Sequence, residues 1–255
     1  MKTIKNDTVF FTDVYNNEKV IQHYLDSHVN VGMLNAEREL IKFAQKHMNR
    51  NDLFVSDLGC GTGRFTFNCA KEFPNFKLHG YDISSKMIEA GQKFEQSVPN
   101  VEFFVSDLTQ ETYANYKFDL VFFTFNSLMT MPGKVNKIKS LQNAFRALKD
   151  HGLLIFSAPQ IDDSDAKREW FNRQRQELAN ANPNEVLIEK IGDCFWQENN
   201  QYGILCHYNI DELIELITAA ELPKPLMIKT RDEFGAETPA AQEFSDNALY
   251  VVIQK

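Results

Sequence analysis

The sequence has little that would carry it across a membrane or staple it outside the cell. No apolar run approaches the ~20 residues needed to span a bilayer, and the start, Met1-Lys-Thr-Ile-Lys-Asn-Asp, has no apolar stretch of secretory-signal length. A cytoplasmic location is therefore expected. Four cysteines, Cys60, Cys69, Cys194 and Cys206, stand far apart with no C-x-x-C pair, which argues against a disulfide framework or a zinc site and for buried free thiols. No metal is expected. No long Pro, Gly, Ser or single-sign tract marks a disordered tail. Positive charge is also scarce. The 27 Lys and Arg against 35 Asp and Glu leave a formal charge of −8, which disfavours a phosphate-rich duplex or an anionic membrane as partner.

What remains is a globular composition. With 43% hydrophobic and 24% charged residues over 255 positions, the chain can bury a core of one catalytic domain with room for an insertion. From Leu53 to Ser157 short apolar runs alternate with helical patterns: 53–58, 76–83, 101–106, 118–125 and 153–157 read as strands, joined by helices into a parallel sheet. The stripe Val135, Ile138, Leu141, Phe145 and Leu148 marks a helix over 135–148 facing that sheet, with Gly152 just beyond it. Ser84 or Ser85 can cap the helix after the second strand.

Around this unit, 17–48 reads as one or two helices covering the sheet's open mouth. After the fifth strand the alternation breaks. A charged helical stretch over 162–181 and two runs flanking Asn-Asn-Gln-Tyr-Gly suggest a helix and a hairpin, read together as an inserted lid. A helix over 211–220, with Asn209 and Glu212 spaced as a capping box, and strands at 226–230 and 248–254 close the chain. The expected organisation is a helical cap at 1–48, a core at 49–158 and 210–255, and a lid at 159–209.

The chemistry concentrates in Val55-Ser-Asp-Leu-Gly-Cys-Gly-Thr-Gly-Arg64, where the first strand turns into a helix, the place at which doubly wound sheets bind nucleotides. Gly59, Gly61 and Gly63 alternate rather than follow the G-x-G-x-x-G spacing that aims helix amides at a pyrophosphate. Asp57 just before them would repel a pyrophosphate but suits a ligand bearing an ammonium and a sulfonium. Asp82, nineteen positions after Gly63, ends the second strand where a carboxylate accepts from both ribose hydroxyls. Asp107 ends the third near an adenine amino group, with Leu108 beside the ring.

In these residues the chain resembles a class I S-adenosylmethionine-dependent methyltransferase over about 53–157 and the two terminal strands. The resemblance implies an α/β fold: a Rossmann-like methyltransferase sheet, mostly parallel with an antiparallel C-terminal hairpin, plus an inserted α/β lid after the fifth strand. It implies S-adenosylmethionine as cofactor and S-adenosylhomocysteine as product. The methionine part would lie on Asp57, Gly59, Cys60, Gly61 and Gly63, the ribose on Asp82 and Ile83, the adenine on Asp107 and Leu108, and Phe125 would flank the sulfonium. Asp150-His-Gly stands where Pro-Gly-Gly is commoner.

Methyl transfer is an in-line displacement on a carbon already activated by positive sulfur, so alignment and exclusion of water supply much of the acceleration and no nucleophile signature is expected. The fourth strand ends Phe125-Asn126-Ser127, without the Asn-Pro-Pro-Tyr of enzymes acting on nucleobase or glutamine nitrogens, and so resembles enzymes for small-molecule acceptors. Asn126 is the candidate acceptor-facing polar group, or a turn cap. Tyr15 is the preferred aromatic contact from the N-terminal segment, among Tyr24, Trp170, Trp196 and Tyr208. His207 is a candidate base. Glu37 either meets the ammonium group or lies on an exposed helix surface. The lid's Trp170, Phe171, Phe195, Trp196 and Tyr208 offer apolar walls, and Arg168, Arg173 and Arg175 partners for an acidic acceptor. The expected partner is a small-molecule acceptor, the protein a monomer or homodimer.

Overall fold

A computed structural model describes residues 12–93, 98–110, 115–161, 164–181, 190, 192–198, 201–245 and 247–255. The side chains of Arg175 and Phe195, and the Asn199-Asn200 turn, lie outside the described residues.

In chain order, a 3-10 turn at Asp13–Asn16 leads to helices α1 (Glu18–Asn30) and α2 (Asn35–Met48). The alternating unit follows: β1 (Phe54–Leu58), α3 (Arg64–Glu72), β2 (Lys77–Asp82), α4 (Ser85–Gln92), β3 (Val101–Val105), β4 (Phe118–Phe123), α5 (Lys134–Ala147) and β5 (Leu148–Pro159). The segment after β5 holds α6 (Asp165–Ala181) and the strands β6 (Asp193–Glu198) and β7 (Gln201–Cys206). The chain closes with α7 (Ile210–Ala219), β8 (Met227–Thr230), α8 (Pro239–Phe244) and β9 (Ala248–Gln254).

Seven strands form one sheet in the order β3-β2-β1-β4-β5-β9-β8. The first five run parallel, β9 runs antiparallel to β5, and β8 antiparallel to β9. This is the mostly parallel sheet with an antiparallel C-terminal pair that the motifs implied. Every residue of β4 is buried, as a central strand covered on both faces requires, which is why its sequence Phe-Asp-Leu-Val-Phe-Phe is nearly continuous in apolar character. Because β1 has β2 on one side and β4 on the other, the connections leave it in opposite directions and open a crevice at its carboxyl end.

Two expectations change at α5. Val135 is 59% exposed, and the buried face runs through Lys137, Ser140, Leu141, Ala144 and Ala147, of which the small Ser140, Ala144 and Ala147 let the helix lie close to the sheet. Gly152 does not stop this helix. The chain turns extended at Leu148, which pairs with Phe118, so β5 starts earlier than its apolar run suggests. Gly152 lies within the strand, where a Cβ would come 2.9 Å from the Lys149 carbonyl oxygen and 3.1 Å from that of Asp119. The capping box at α7 is present, with Asn209 Oδ1 accepting from Glu212 N at 2.9 Å. Ser84 caps α4 through Met87 N.

The flanking segments are more deeply integrated than separate caps. From α2, Ala36, Leu40, Ile41 and Ala44 join Val55, Phe65, Phe122 and Val252 in the core on one face of the sheet. On the other face, Ile204, Cys206 and Tyr208 of the insertion share a core with Leu154, Phe156 and Leu249. Tyr208 is also tied to β5 by its N–H, which donates to the Pro159 carbonyl at 2.8 Å.

Candidate active site

The loop after β1 sets the floor of a pocket. Gly59, Gly61 and Gly63 all take left-handed backbone angles, which glycine adopts without steric penalty. The Gly59 and Cys60 N–H groups donate to the Tyr81 carbonyl at 2.7 and 3.0 Å, hanging the loop on the end of β2. The three glycines then differ. A Cβ on Gly59 would lie 2.6 Å from Ser127 Cβ, and one on Gly63 2.7 Å from the Phe103 ring, whereas one on Gly61 would meet nothing within 4 Å. Gly61 presents bare backbone to the pocket; Gly63 is a packing glycine and does not line it.

The three strand-end acids also differ. Asp82 lines the pocket. Its Oδ2 accepts from Gly61 N at 2.8 Å and its Oδ1 from Ser84 N at 2.9 Å, so each oxygen is oriented yet keeps a lone pair for a ligand hydroxyl. Burial pushes its pKa up against those backbone donors. Asp107 lines the pocket too; its Oδ1 takes both the N–H and the hydroxyl of Thr109, at 2.9 and 2.8 Å. Ile83 and Leu108 stand beside them. Asp57 does not line the pocket. It is buried behind the loop, accepting from Thr66 Oγ1 at 2.6 Å and Thr124 Oγ1 at 2.9 Å. Burial raises it to about 6 in spite of those hydroxyls. Its side chain alternates toward α3 one residue before the strand ends, so it braces the loop from beneath.

At the end of β4 the chain makes two consecutive left-handed non-glycine residues, Phe125 (φ 48°) and Asn126 (φ 63°), a costly conformation that clusters at functional sites. The turn places Phe125 on the pocket wall, stacked on Phe244 of α8 at 4.7 Å between ring centroids. Asn126 is buried beside the pocket rather than on its lining. Its N–H donates to Ser157 Oγ at 2.8 Å, and its Oδ1 has no hydrogen-bond partner.

The remaining wall comes from Thr12, Tyr15 and Tyr24 on the N-terminal side and Thr130, Met131 and Pro132 on the other. Tyr15 is positioned through its carbonyl, which accepts from Ser84 Oγ at 3.3 Å, and through an edge-on contact with Trp196 at 5.9 Å. Burial, reinforced by neighbouring Tyr24, raises its phenol well above the ordinary value; burial and Asp82 lift Tyr24 to about 12.

Arg64, the first residue of α3, also lines the pocket and escaped the sequence reasoning, which took it only as the end of the glycine motif. Its guanidinium is buried against Glu37, with Nη1 donating to Oε2 at 2.9 Å and Nη2 to Oε1 at 2.5 Å, and it also reaches the Gly32 carbonyl at 2.5 Å. Glu37 is therefore neither exposed nor free to receive an ammonium group. Only the tertiary packing of α2 on α3 brings the pair together. The wall at 130–132 was missed as well; its one signal was the Pro132-Gly133 turn before α5.

Among the described residues, the insertion contributes none to the lining. Arg168 and Arg173 are exposed on α6. Phe171 is buried against His207, whose Nδ1 lies 3.1 Å from the Gly192 carbonyl oxygen, away from the pocket. A general base at His207 is thus not supported by its position. Instead β7 packs on the Asp13–Asn16 and Ser127–Thr130 turns, one layer behind the wall.

Backbone open at Gly61, an oriented carboxylate at Asp82, a second at Asp107 and apolar residues between them fit a nucleoside with an amino-acid tail. No group of three or more His, Cys, Asp or Glu placed to hold a metal occurs among the described residues, and none of their helices is long and apolar enough to cross a membrane.

Comparison with known proteins agrees with this geometry. Residues 55–152 match a family model described as a methyltransferase domain. The chain is similar to malonyl-[acyl-carrier protein] O-methyltransferases of Halalkalibacterium halodurans (28% identical over 134 residues, 51% of this chain and 48% of that protein) and Acetivibrio thermocellus (36% over 112 residues, 43% and 36%). It spans less than half the length of these relatives. Among solved structures, a SAM-dependent methyltransferase from Methanosarcina mazei superposes with a TM-score of 0.62 at 16% identity, covering 81% of this chain and 93% of that one. The 1,6-didemethyltoxoflavin-N1-methyltransferase of Burkholderia thailandensis gives 0.55 at 16% identity, covering 86% and 78%. The sheet order with its antiparallel pair and the glycine loop at the switch point are those of the class I, Rossmann-like methyltransferase fold, and residues 55–152 match a methyltransferase domain.

Proposed function

We propose that the chain transfers the methyl group of S-adenosylmethionine to a small organic acceptor, at nitrogen or oxygen, by in-line displacement within the pocket. The observation that carries this reading is the single pocket uniting Gly59, Cys60 and Gly61 with Asp82, Ile83, Asp107, Leu108 and Phe125 at adjacent strand ends. Asp82 would hold the ribose, Asp107 the adenine amino group, and Gly61 the close approach of the amino-acid tail, with Asp57 and Gly63 shaping the loop from behind. Arg64, facing the same loop, suits the tail's carboxylate. S-adenosylmethionine supplies a methyl carbon already activated by sulfur; the protein's part is alignment and exclusion of water between Tyr15, Tyr24, Phe125 and Met131.

A second reading places the acceptor on a carrier protein, and what favours it is the acceptor named for the two relatives above. One experiment separates them. Calorimetry with S-adenosylhomocysteine establishes cofactor binding; methyl-labelled S-adenosylmethionine is then incubated with a cell extract that is split into small-molecule, protein and RNA fractions. Label in small molecules supports the first reading and label in protein the second. Label confined to RNA sinks both.

A further inference from the structure

Building on the methyltransferase reading, we propose that the group methylated is a carboxylate, received by the phenol of Tyr15. Tyr15 lines the pocket, and its hydroxyl is buried with no hydrogen-bond partner. It lies toward Thr130 without reaching hydrogen-bond geometry, and the Thr130 hydroxyl already donates to the Ser127 carbonyl at 2.8 Å. Around it are Val14, Met87, Tyr24 and Trp196. A phenol proton in such surroundings is unfavourable until something in the pocket accepts it, and burial keeps the phenol protonated, so it acts as a donor.

The choice of partner follows from counting lone pairs. An amine nucleophile has one, and if it accepts from Tyr15 it has none left for the methyl carbon. A carboxylate has two oxygens: one accepts from Tyr15 while the other attacks. The step then balances without a base. A lone pair of the carboxylate oxygen forms the O–C bond, the methyl C–S bond breaks with its electron pair returning to sulfur, and no proton moves. An anion and a cation become a neutral ester and a thioether, a change that an apolar pocket favours. A buried cation stands behind the same wall. Lys137 Nζ donates to the Met131 carbonyl at 2.6 Å and to Cys206 Sγ at 3.3 Å, its charge partly offset by Asp193 near Cys206.

The test has two arms. In the first, the protein loaded with S-adenosylhomocysteine is titrated by calorimetry with octanoate, octanamide and octylamine, which share a chain and differ in head group. Octanoate should bind tightest, and Tyr15→Phe should weaken it about tenfold or more, as for a hydrogen bond to a charged group, while S-adenosylhomocysteine affinity holds at the wild-type value. Octylamine binding as tightly as octanoate, or Tyr15→Phe leaving that order untouched, overturns the assignment. In the second arm, label transferred from methyl-labelled S-adenosylmethionine to extract is treated with alkali. Methyl esters release it as methanol, and alkali-stable label refutes the carboxylate while leaving the methyltransferase reading intact. If S-adenosylhomocysteine does not bind and no label moves, the methyltransferase reading itself has failed.

Discussion

The floor and the roof of the pocket are built in different ways. The floor is made of strand ends between Gly59 and Phe125, brought side by side by the parallel register of β3, β2, β1 and β4. Asp82 ends its strand, and Gly59, Gly61, Asp107 and Phe125 follow theirs by one to three positions. The roof joins segments from opposite ends of the chain. Asn17 Nδ2 donates to Gln201 Oε1 at 3.3 Å, Lys19 pairs with Glu198 at 3.2 Å, and Trp196 packs on Tyr15. A floor of this kind can be specified by a short motif repeated at strand ends. A roof of this kind depends on the whole core being assembled first.

Breaking the tie that holds α2 to the floor should have the largest effect. Glu37→Gln removes one member of the buried pair that clamps α2 to the helix of the glycine loop. An uncompensated guanidinium at that depth costs about 3–5 kcal/mol, to be read from urea unfolding. A loss within the range of a surface pair, about 0–1 kcal/mol, would mean that α2 and the floor are not coupled there.

Next comes the floor itself. Gly61→Val should lower S-adenosylhomocysteine affinity by about a hundredfold, from a strained left-handed backbone and a side chain standing in ligand space, with little change in core packing. Gly63→Val should do the reverse: its Cβ meets Phe103 and Phe67, so it should lower the melting temperature. If both variants lose only stability, the pocket floor is misplaced. Asp82→Ala should cost about 1.5–3 kcal/mol of cofactor binding, measured by calorimetry on a folded variant. An unchanged affinity would remove it from the ribose role.

The smallest effects are two opposed slopes of stability with pH. Asp57, raised to about 6 from 3.8, holds its proton more tightly when folded, so its contribution is full at low pH and is lost as pH rises to about 6. His28 donates or accepts at Thr62 Oγ1, 2.9 Å away; burial, then Arg64, lowers it from 6.5 to about 4. Its contribution is present above pH 6.5 and is lost as pH falls toward about 4. The two oppose each other between about pH 4 and 6. His28→Gln should make acidification across that interval more favourable to the fold, and Asp57→Asn less so, by urea midpoints. Identical profiles in both variants would rule out these two titrations.

The floor was largely legible beforehand because its information is local. Gly59, Gly61, Asp82 and Asp107 sit at strand ends, and a strand end is marked by the change from an apolar run to glycine, aspartate or serine. The same reasoning went astray where orientation mattered. Asp57 belongs to the motif but turns under the loop, since side chains alternate along a strand and its position selects the α3 face. Gly63 shares the motif's spacing and faces Phe103 instead of the pocket. Asn126 was singled out as acceptor-facing, yet the two left-handed residues at 125 and 126 give the lining position to Phe125.

The roof was not legible in the same way. Aromatic and basic residues of the insertion looked like a wall, but their number says nothing about which layer they occupy. His207 and Phe171 are consumed by the insertion's own packing, and Ile204, Cys206 and Tyr208 by the sheet's core. Periodicity and turn chemistry were enough for the order of elements, the parallel sheet and the three strand-end positions, because backbone preference and alternation act over a few neighbours. The pairing of Glu37 with Arg64, the contact of Lys137 with Cys206 and the unpartnered Tyr15 phenol arise between residues 27 or more positions apart, or between elements on different layers. Such contacts are decided only when the whole chain competes for the same buried volume, and no local pattern records the outcome.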